Sequence, residues 1–246
     1  MAGYSVTIGS ARIDENGHAK GGKAGDQTSK EVSTQRYYIH SKGWRVFRAK
    51  DPTKAEKIAY DMKSACSNPH IGYDQNQRLT LYNVAKSVNF DCAKVDKNCE
   101  TDCSALVRVC CAYAGIMLPN FRTTDEASIL LKSGYFTELT GDKYTKSQLY
   151  LKRGDILVTR TQGHTVIVLT NGKRADENPN PVEYKHILVT GKTVHVRRDH
   201  DMHSPSVTIV KKGTRFPYDG ECVDGWYRIK HETPLWISSR YSILTV

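Results

Sequence analysis

The run Thr101-Asp102-Cys103-Ser104-Ala105-Leu106-Val107-Arg108-Val109-Cys110-Cys111-Ala112-Tyr113-Ala114-Gly115 decides how the rest of the chain is read. Apolar residues fall on nearly every face of a 3.6-residue period, so the segment predicts a helix buried at the centre of a fold and stopped by Gly115. Thr101 or Asp102 is a natural cap, which sets Cys103 in the first helical turn. There the positive end of the helix dipole favours a thiolate. Cys110 and Cys111 sit deeper among apolar neighbours and read as inert packing.

Working outward, Ile156–Thr159 and Thr165–Leu169 are short β-branched runs on either side of Gly163-His164, and they read as paired strands with His164 at the start of the second. An imidazole near its ordinary pKa takes a thiol proton and later protonates a leaving amine, so Cys103 and His164 are the candidate catalytic pair. Residues 51–67 carry an apolar stripe at helical spacing behind a capping Asp51 or Thr53, and residues 79–86 form a second helix candidate. Residues 1–30 are rich in Gly, Lys and Asp and read as loop.

The chain has 246 residues, 36 Lys+Arg against 26 Asp+Glu, and a formal charge of +10. That length suits one large domain or two modest ones. No stretch approaches the ~20 apolar residues of a membrane span, so no membrane insertion is expected. The positive charge is dispersed, with pairs such as Arg197-Arg198 and Lys211-Lys212 as its densest points. An acidic partner is implied, and nucleic acid, an anionic membrane surface and an anionic wall polymer all suit the charge, but no nucleic-acid-binding signature accompanies it, so nucleic acid is not expected. The seven cysteines have no CxxC spacing, so no metal site and no cofactor are expected. The N-terminus lacks a secretory signal profile.

The polar stretch Asn171–His186, with Asn178-Pro179 and Asn180-Pro181, reads as the region of a linker. The division is then residues 1–175, a linker over 176–187, and residues 188–246. In the last segment ThrValHisValArg (193–197), ValThrIleVal (207–210), TrpTyrArgIleLys (226–230) and TrpIleSer (236–238) alternate with turns, which predicts a small β-barrel or sandwich.

ThrAspCysSerAlaLeuVal resembles the nucleophile motif of NlpC-type cysteine peptidases. GlyAspIleLeuValThr followed by GlyHisThrValIleVal resembles that family's Gly-Asp strand and histidine strand. AsnProHisIleGlyTyrAspGlnAsnGln (68–77) is similar to the segment before the nucleophile. CHAP amidases share much of this pattern. The strand order of residues 188–246 resembles a bacterial SH3-type domain. These resemblances imply an α+β architecture, a papain-like NlpC-type peptidase followed by an all-β SH3-type barrel, as in a phage or prophage endolysin.

The resemblance further implies a dyad of Cys103 and His164, with Tyr73 facing the cleft beside the oxyanion. Asp102 and Ser104 would flank the nucleophile and help hold a free amine of the substrate. Ala105 stands where the family usually has glycine. The family's third member lies on the strand after the histidine strand. Asn171, Asp176 and Asn178 are candidates by distance, and Asp26 or Gln27 are candidates from the N-terminal region. For the C-terminal segment the resemblance implies wall binding, with Trp236, Tyr227, Tyr241 or Tyr218 as aromatic platforms and Trp226 as core.

The implied reaction is hydrolysis of a peptidoglycan stem-peptide amide, D-glutamyl to the diamino acid. The runner-up is an N-acetylmuramoyl-L-alanine amidase of the CHAP type, and beyond it a non-catalytic wall-binding protein. Without a signal peptide, such an enzyme is expected to be made in the host cytoplasm and to reach peptidoglycan through a holin lesion or from outside.

Overall fold

A computed structural model describes residues 5–177, 186–223 and 225–245. The chain divides into two compact units, residues 1–50 with 54–178 and residues 51–53 with 179–246.

The first unit runs β1 (Thr7–Ala11), β2 (Val32–Arg36), β3 (Trp44–Ala49), α1 (Pro52–Ala65), β4 (Ile71–Tyr73), α2 (Thr80–Ala85), β5 (Cys99–Thr101), α3 (Cys103–Tyr113), α4 (Glu126–Lys132), β6 (Phe136–Leu139), α5 (Asp142–Thr145), β7 (Ile156–Thr159) and β8 (Thr165–Val168). Six of its strands form an antiparallel sheet in the order β2-β1-β8-β7-β3-β6, while β4 and β5 pair parallel beside it.

Alternation along the strands builds two cores. Phe47, Ile156, Val158 and Ile167 point to one face, where they cluster with Ile58 and Met62 of α1 and Leu106 and Val109 of α3. Val46, Leu157, Val166 and Val168 point to the other, with Ile8, Trp44 and Leu151. Alpha3 is the buried helix its sequence predicts: only Arg108 and Tyr113 escape full burial. It ends at Gly115, whose φ of +75° suits the left-handed turn beyond a helix.

The Gly154-Asp155 pair is a structural pillar. Gly154 has φ +89°, and a Cβ there would fall 2.3 Å from the carbonyl oxygen of Ala55, so α1 can approach β7 only over a glycine. Asp155 is buried and takes a two-pronged hydrogen bond from Arg48 at 2.7 and 2.6 Å.

Alpha1 carries a second buried acid. Asp61 accepts the Cys92 N–H at 2.8 Å and the Cys92 thiol at 3.2 Å. Burial pushes its carboxyl up to about 7, against the lowering effect of those hydrogen bonds. A folded-state pKa above the unfolded value means that the folded chain holds the proton more tightly. The benefit is therefore complete below about pH 4 and is lost as pH rises toward about 7. Asp61→Asn keeps an acceptor for Cys92 and removes the titration. Urea denaturation should show the variant gaining on the parent between pH 4 and 8, by a difference on the order of 4 kcal/mol. A gap that does not change with pH would refute the assignment.

The second unit contains β9 (His186–Val189), β10 (Thr193–Arg197), β11 (Ser206–Lys211), β12 (Arg215–Val223), β13 (Trp226–Ile229), β14 (Leu235–Ser238) and β15 (Ser242–Thr245), ordered β11-β10-β14-β13-β12-β9-β15. Its core is Ile187, Val189, Val194, Val196, Tyr227, Ile229 and Ile237. Four of these strands were readable in the sequence. Beta12 was not, because Pro217 and Gly220 interrupt it and its register slips between Tyr218 and Cys222. Of the expected linker over 176–187, Asp176 and Glu177 belong to a 3-10 turn (Ala175–Glu177), and His186 and Ile187 belong to β9. Residues 178–185, including the candidate Asn178, lie outside the described residues.

Candidate active site

Beta5 leads directly into α3, and Asp102 is the residue between them. Its backbone is extended (φ −109°, ψ 176°), and its Oδ1 accepts the Ala105 N–H at 2.7 Å, an N-cap that leaves Cys103 as the first residue of the helix. The Cys103 N–H therefore has no acceptor within the helix and is available to a ligand. Cys103 keeps 8% of its surface exposed, whereas Cys110 and Cys111 keep none. The N–H groups of Thr165 and Ser104 act on its sulfur and favour the thiolate. Thr165 is the first residue of β8, and His164 precedes it, so helix start and strand start meet.

His164 is half-buried and lines a cleft of about 500 Å³ with Arg12, Ile13, Gln35, Tyr38 and His40. Neither Cys103 nor Tyr73 is among the residues lining that cleft, although a charge on Cys103 acts on both Tyr38, which does line it, and Tyr73. Tyr73, at the end of β4, is level with Thr101 of β5, and its hydroxyl accepts a hydrogen bond from Gln75 at 3.0 Å.

The expected thiolate is not the resting form. Burial pushes the Cys103 thiol up to about 12, with the carboxylates of Asp102 and Glu126 adding to it, and this outweighs the helix terminus. Burial pushes the His164 imidazole down to about 4, with help from His40 and Arg12. Both shifts favour the neutral forms at neutral pH, a thiol that needs a general base rather than a preformed ion pair.

Asp102 and Ser104 do not face the cleft. Arg78, buried beside them, donates from Nε to Asp102 Oδ2, from Nη2 to Ser104 Oγ at 3.0 Å and to the Phe121 carbonyl at 2.6 Å, and from Nη1 to Asn120 Oδ1 at 2.7 Å. Ser104 in turn donates to Asp102 Oδ1 at 2.9 Å. The carboxylate expected to hold a substrate amine is thus already engaged by a guanidinium, a hydroxyl and a backbone N–H.

The third-member candidates are also placed elsewhere. Asn171 follows the far end of β8 from His164, where its Oδ1 accepts the Arg153 N–H at 2.8 Å. Asp176 is exposed and lies 3.6 Å from Lys152. Asp26 and Gln27 make turn hydrogen bonds within their own loop. The sheet order gives the reason: the place beside β8 is taken by β1, from the N-terminus. The polar side chains that line the cleft with His164 accordingly come from residues 12–40. Sequence reading missed Arg12, Gln35, Tyr38, His40 and Arg78. Trp44-Arg-Val-Phe-Arg-Ala shows no clean period-2 alternation, because both faces of β3 are buried.

In the second unit Tyr227 is 1% exposed and belongs to the core, so it offers no face to a ligand. Trp236 is buried too, against the His200 ring at 5.0 Å, and Trp226 is buried as expected. Tyr218 is half-buried. Tyr241 is exposed, with the Arg240 guanidinium 5.9 Å from its ring.

Among the described residues, no helix is long and apolar enough to cross a membrane. Nor does any His, Cys, Asp or Glu group suit a metal ion. A family model described as an endolysin-like domain matches residues 8–175. No curated protein and no solved structure matches the chain.

Proposed function

Because this chain belongs to the endolysin-like domain family, we propose that it is a cell-wall hydrolase whose first unit is a papain-like, NlpC-type cysteine peptidase. The meeting of Cys103, at the start of α3, with the start of β8 beside the His164 cleft carries this reading. His164 takes the thiol proton as Cys103 attacks a stem-peptide carbonyl. The Cys103 N–H, with the Tyr73 hydroxyl, stabilises the oxyanion. His164 then protonates the departing amine and activates water to release the thioester. The group that orients the imidazole comes from the N-terminal segment, where His40 and Gln35 line the same cleft. Asp102 and Ser104 act as positioning residues for Cys103.

The bond favoured is D-glutamyl to the diamino acid. One observation favours the amidase as a second reading: Arg78 occupies the pair expected to hold a free substrate amine, so a free amino end need not be required. The second unit is proposed to bind the wall as an SH3-type barrel, with Tyr241 as its exposed aromatic. Mass spectrometry of digested peptidoglycan separates these readings. New amino ends at the diamino acid are expected. New ends at L-alanine would establish the amidase instead, and no new ends would remove catalysis from the account.

A further inference from the structure

Among the described residues, those that line the cleft beside His164 include a guanidinium and no carboxylate. Arg12 is exposed and follows β1, whose register with β8 pairs Ile8 with Val168 and Gly9 with Ile167. Continued along both strands, that register brings Arg12 level with His164, and its charge reaches both His164 and Tyr38. The buried acids Asp102 and Glu126 act on Cys103, but neither lines the cleft, and Asp102 is held by Arg78. Lys42 adds a second positive charge next to His40. The remaining lining groups, Gln35, Tyr38 and His40, are neutral hydrogen-bonding side chains. A forked cation in a cleft with no anion of its own is built to receive one, and guanidinium matches carboxylate in a two-pronged geometry.

We propose that Arg12 is a specificity-determining residue that binds a free carboxylate of the peptide substrate next to the scissile amide. This rests on the hydrolase reading and names its substrate class: stem peptides whose D-glutamyl residue keeps its α-carboxylate, in preference to those in which it is amidated. Engaging that carboxylate sets the γ-carbonyl toward Cys103 and neutralises the charge beside His164.

The test uses two synthetic peptides, L-alanyl-γ-D-glutamyl-diamino acid with the glutamyl α-carboxylate free or as the carboxamide. Binding is measured on the full chain carrying Cys103→Ser, so that no turnover is needed. The free-carboxylate peptide is expected to bind about tenfold tighter, the effect of one charge-assisted contact. Arg12→Gln in the same background should bring the two peptides within about twofold, and Arg12→Lys should keep part of the preference. Equal binding of both peptides, no binding of either, or a preference unchanged by Arg12→Gln overturns the proposal. Hydrolysis by the chain with Cys103 intact is followed in parallel. If Arg12 sets the binding preference but neither peptide nor peptidoglycan is cut, the hydrolase reading fails and the carboxylate site stands.

Discussion

Replacing Cys103 by alanine is expected to lower the rate of wall clearing by at least ~10³-fold, the loss typical of removing a covalent nucleophile. The folded structure should survive it. Cys103 is the first residue of α3, where the cap depends on Asp102 rather than on the thiol, and its replacement by alanine removes a single sulfur atom. Cys110→Ala and Cys111→Ala, made where exposure is zero, should do the reverse: keep the rate and cost about 1–2 kcal/mol of stability. The pH profile adds a second check. His164 acts as base only when neutral, and burial with His40 and Arg12 holds its imidazole down to about 4. The acid limb of kcat/KM should therefore lie near pH 4–5, well below an unperturbed histidine's ~6.5. The thiol, pushed up to about 12, should react slowly with iodoacetamide at pH 8. A Cys103→Ala protein that still clears walls at a comparable rate would remove the thiol from the mechanism.

What the sequence disclosed about this site, and what it hid, follows the range of the interactions. Cys103 and His164 were legible because each is marked by its neighbours: a capped apolar helix for one, a glycine before a β-branched strand for the other. Helices α1 and α3 and the β7–β8 pair were legible for the same reason. The third catalytic member is expected after His164 because the resembled family carries it on the strand after the histidine strand, with Asp26 or Gln27 of the N-terminal region as the other candidates. Here the chain returns its first strand, β1, to that place in the sheet, a non-local pairing that no local pattern announces. Beta2 reads ValSerThrGlnArg and looks like loop, since only Val32 of its five residues is fully buried. Tyr227 was misread as a platform because an aromatic in a half-buried strand points to either face, and only the pairing register of β13 decides which. Arg78 was invisible because nothing around it in AsnGlnArgLeuThr distinguishes a buried arginine from a solvated one.

That arginine yields the largest expected loss of stability. Arg78→Met fills much of the same volume but leaves the Asp102 carboxylate, 4% exposed, with the Ser104 hydroxyl and the Ala105 N–H and without its counter-charge. It also removes the donors to Asn120, Ser104 and the Phe121 carbonyl, which join α3 to the segment after it. Breaking a buried ion pair from one side costs about 3–5 kcal/mol, mostly from the charge left behind. If that account holds, removing the charge should restore part of the loss. Asn is as good an N-cap as Asp, so Arg78→Met with Asp102→Asn keeps the helix start while abolishing the stranded carboxylate. Urea denaturation of the parent, both single variants and the double variant closes the cycle. The double variant is expected to be more stable than Arg78→Met alone, with a coupling of about 1–3 kcal/mol. Activity per folded molecule should fall in Arg78→Met as well, because the cap that aims Cys103 has lost its support. An Arg78→Met protein within about 1 kcal/mol of the parent, or a double variant whose loss equals the sum of the singles, would mean that Asp102 holds the nucleophile's helix without the arginine.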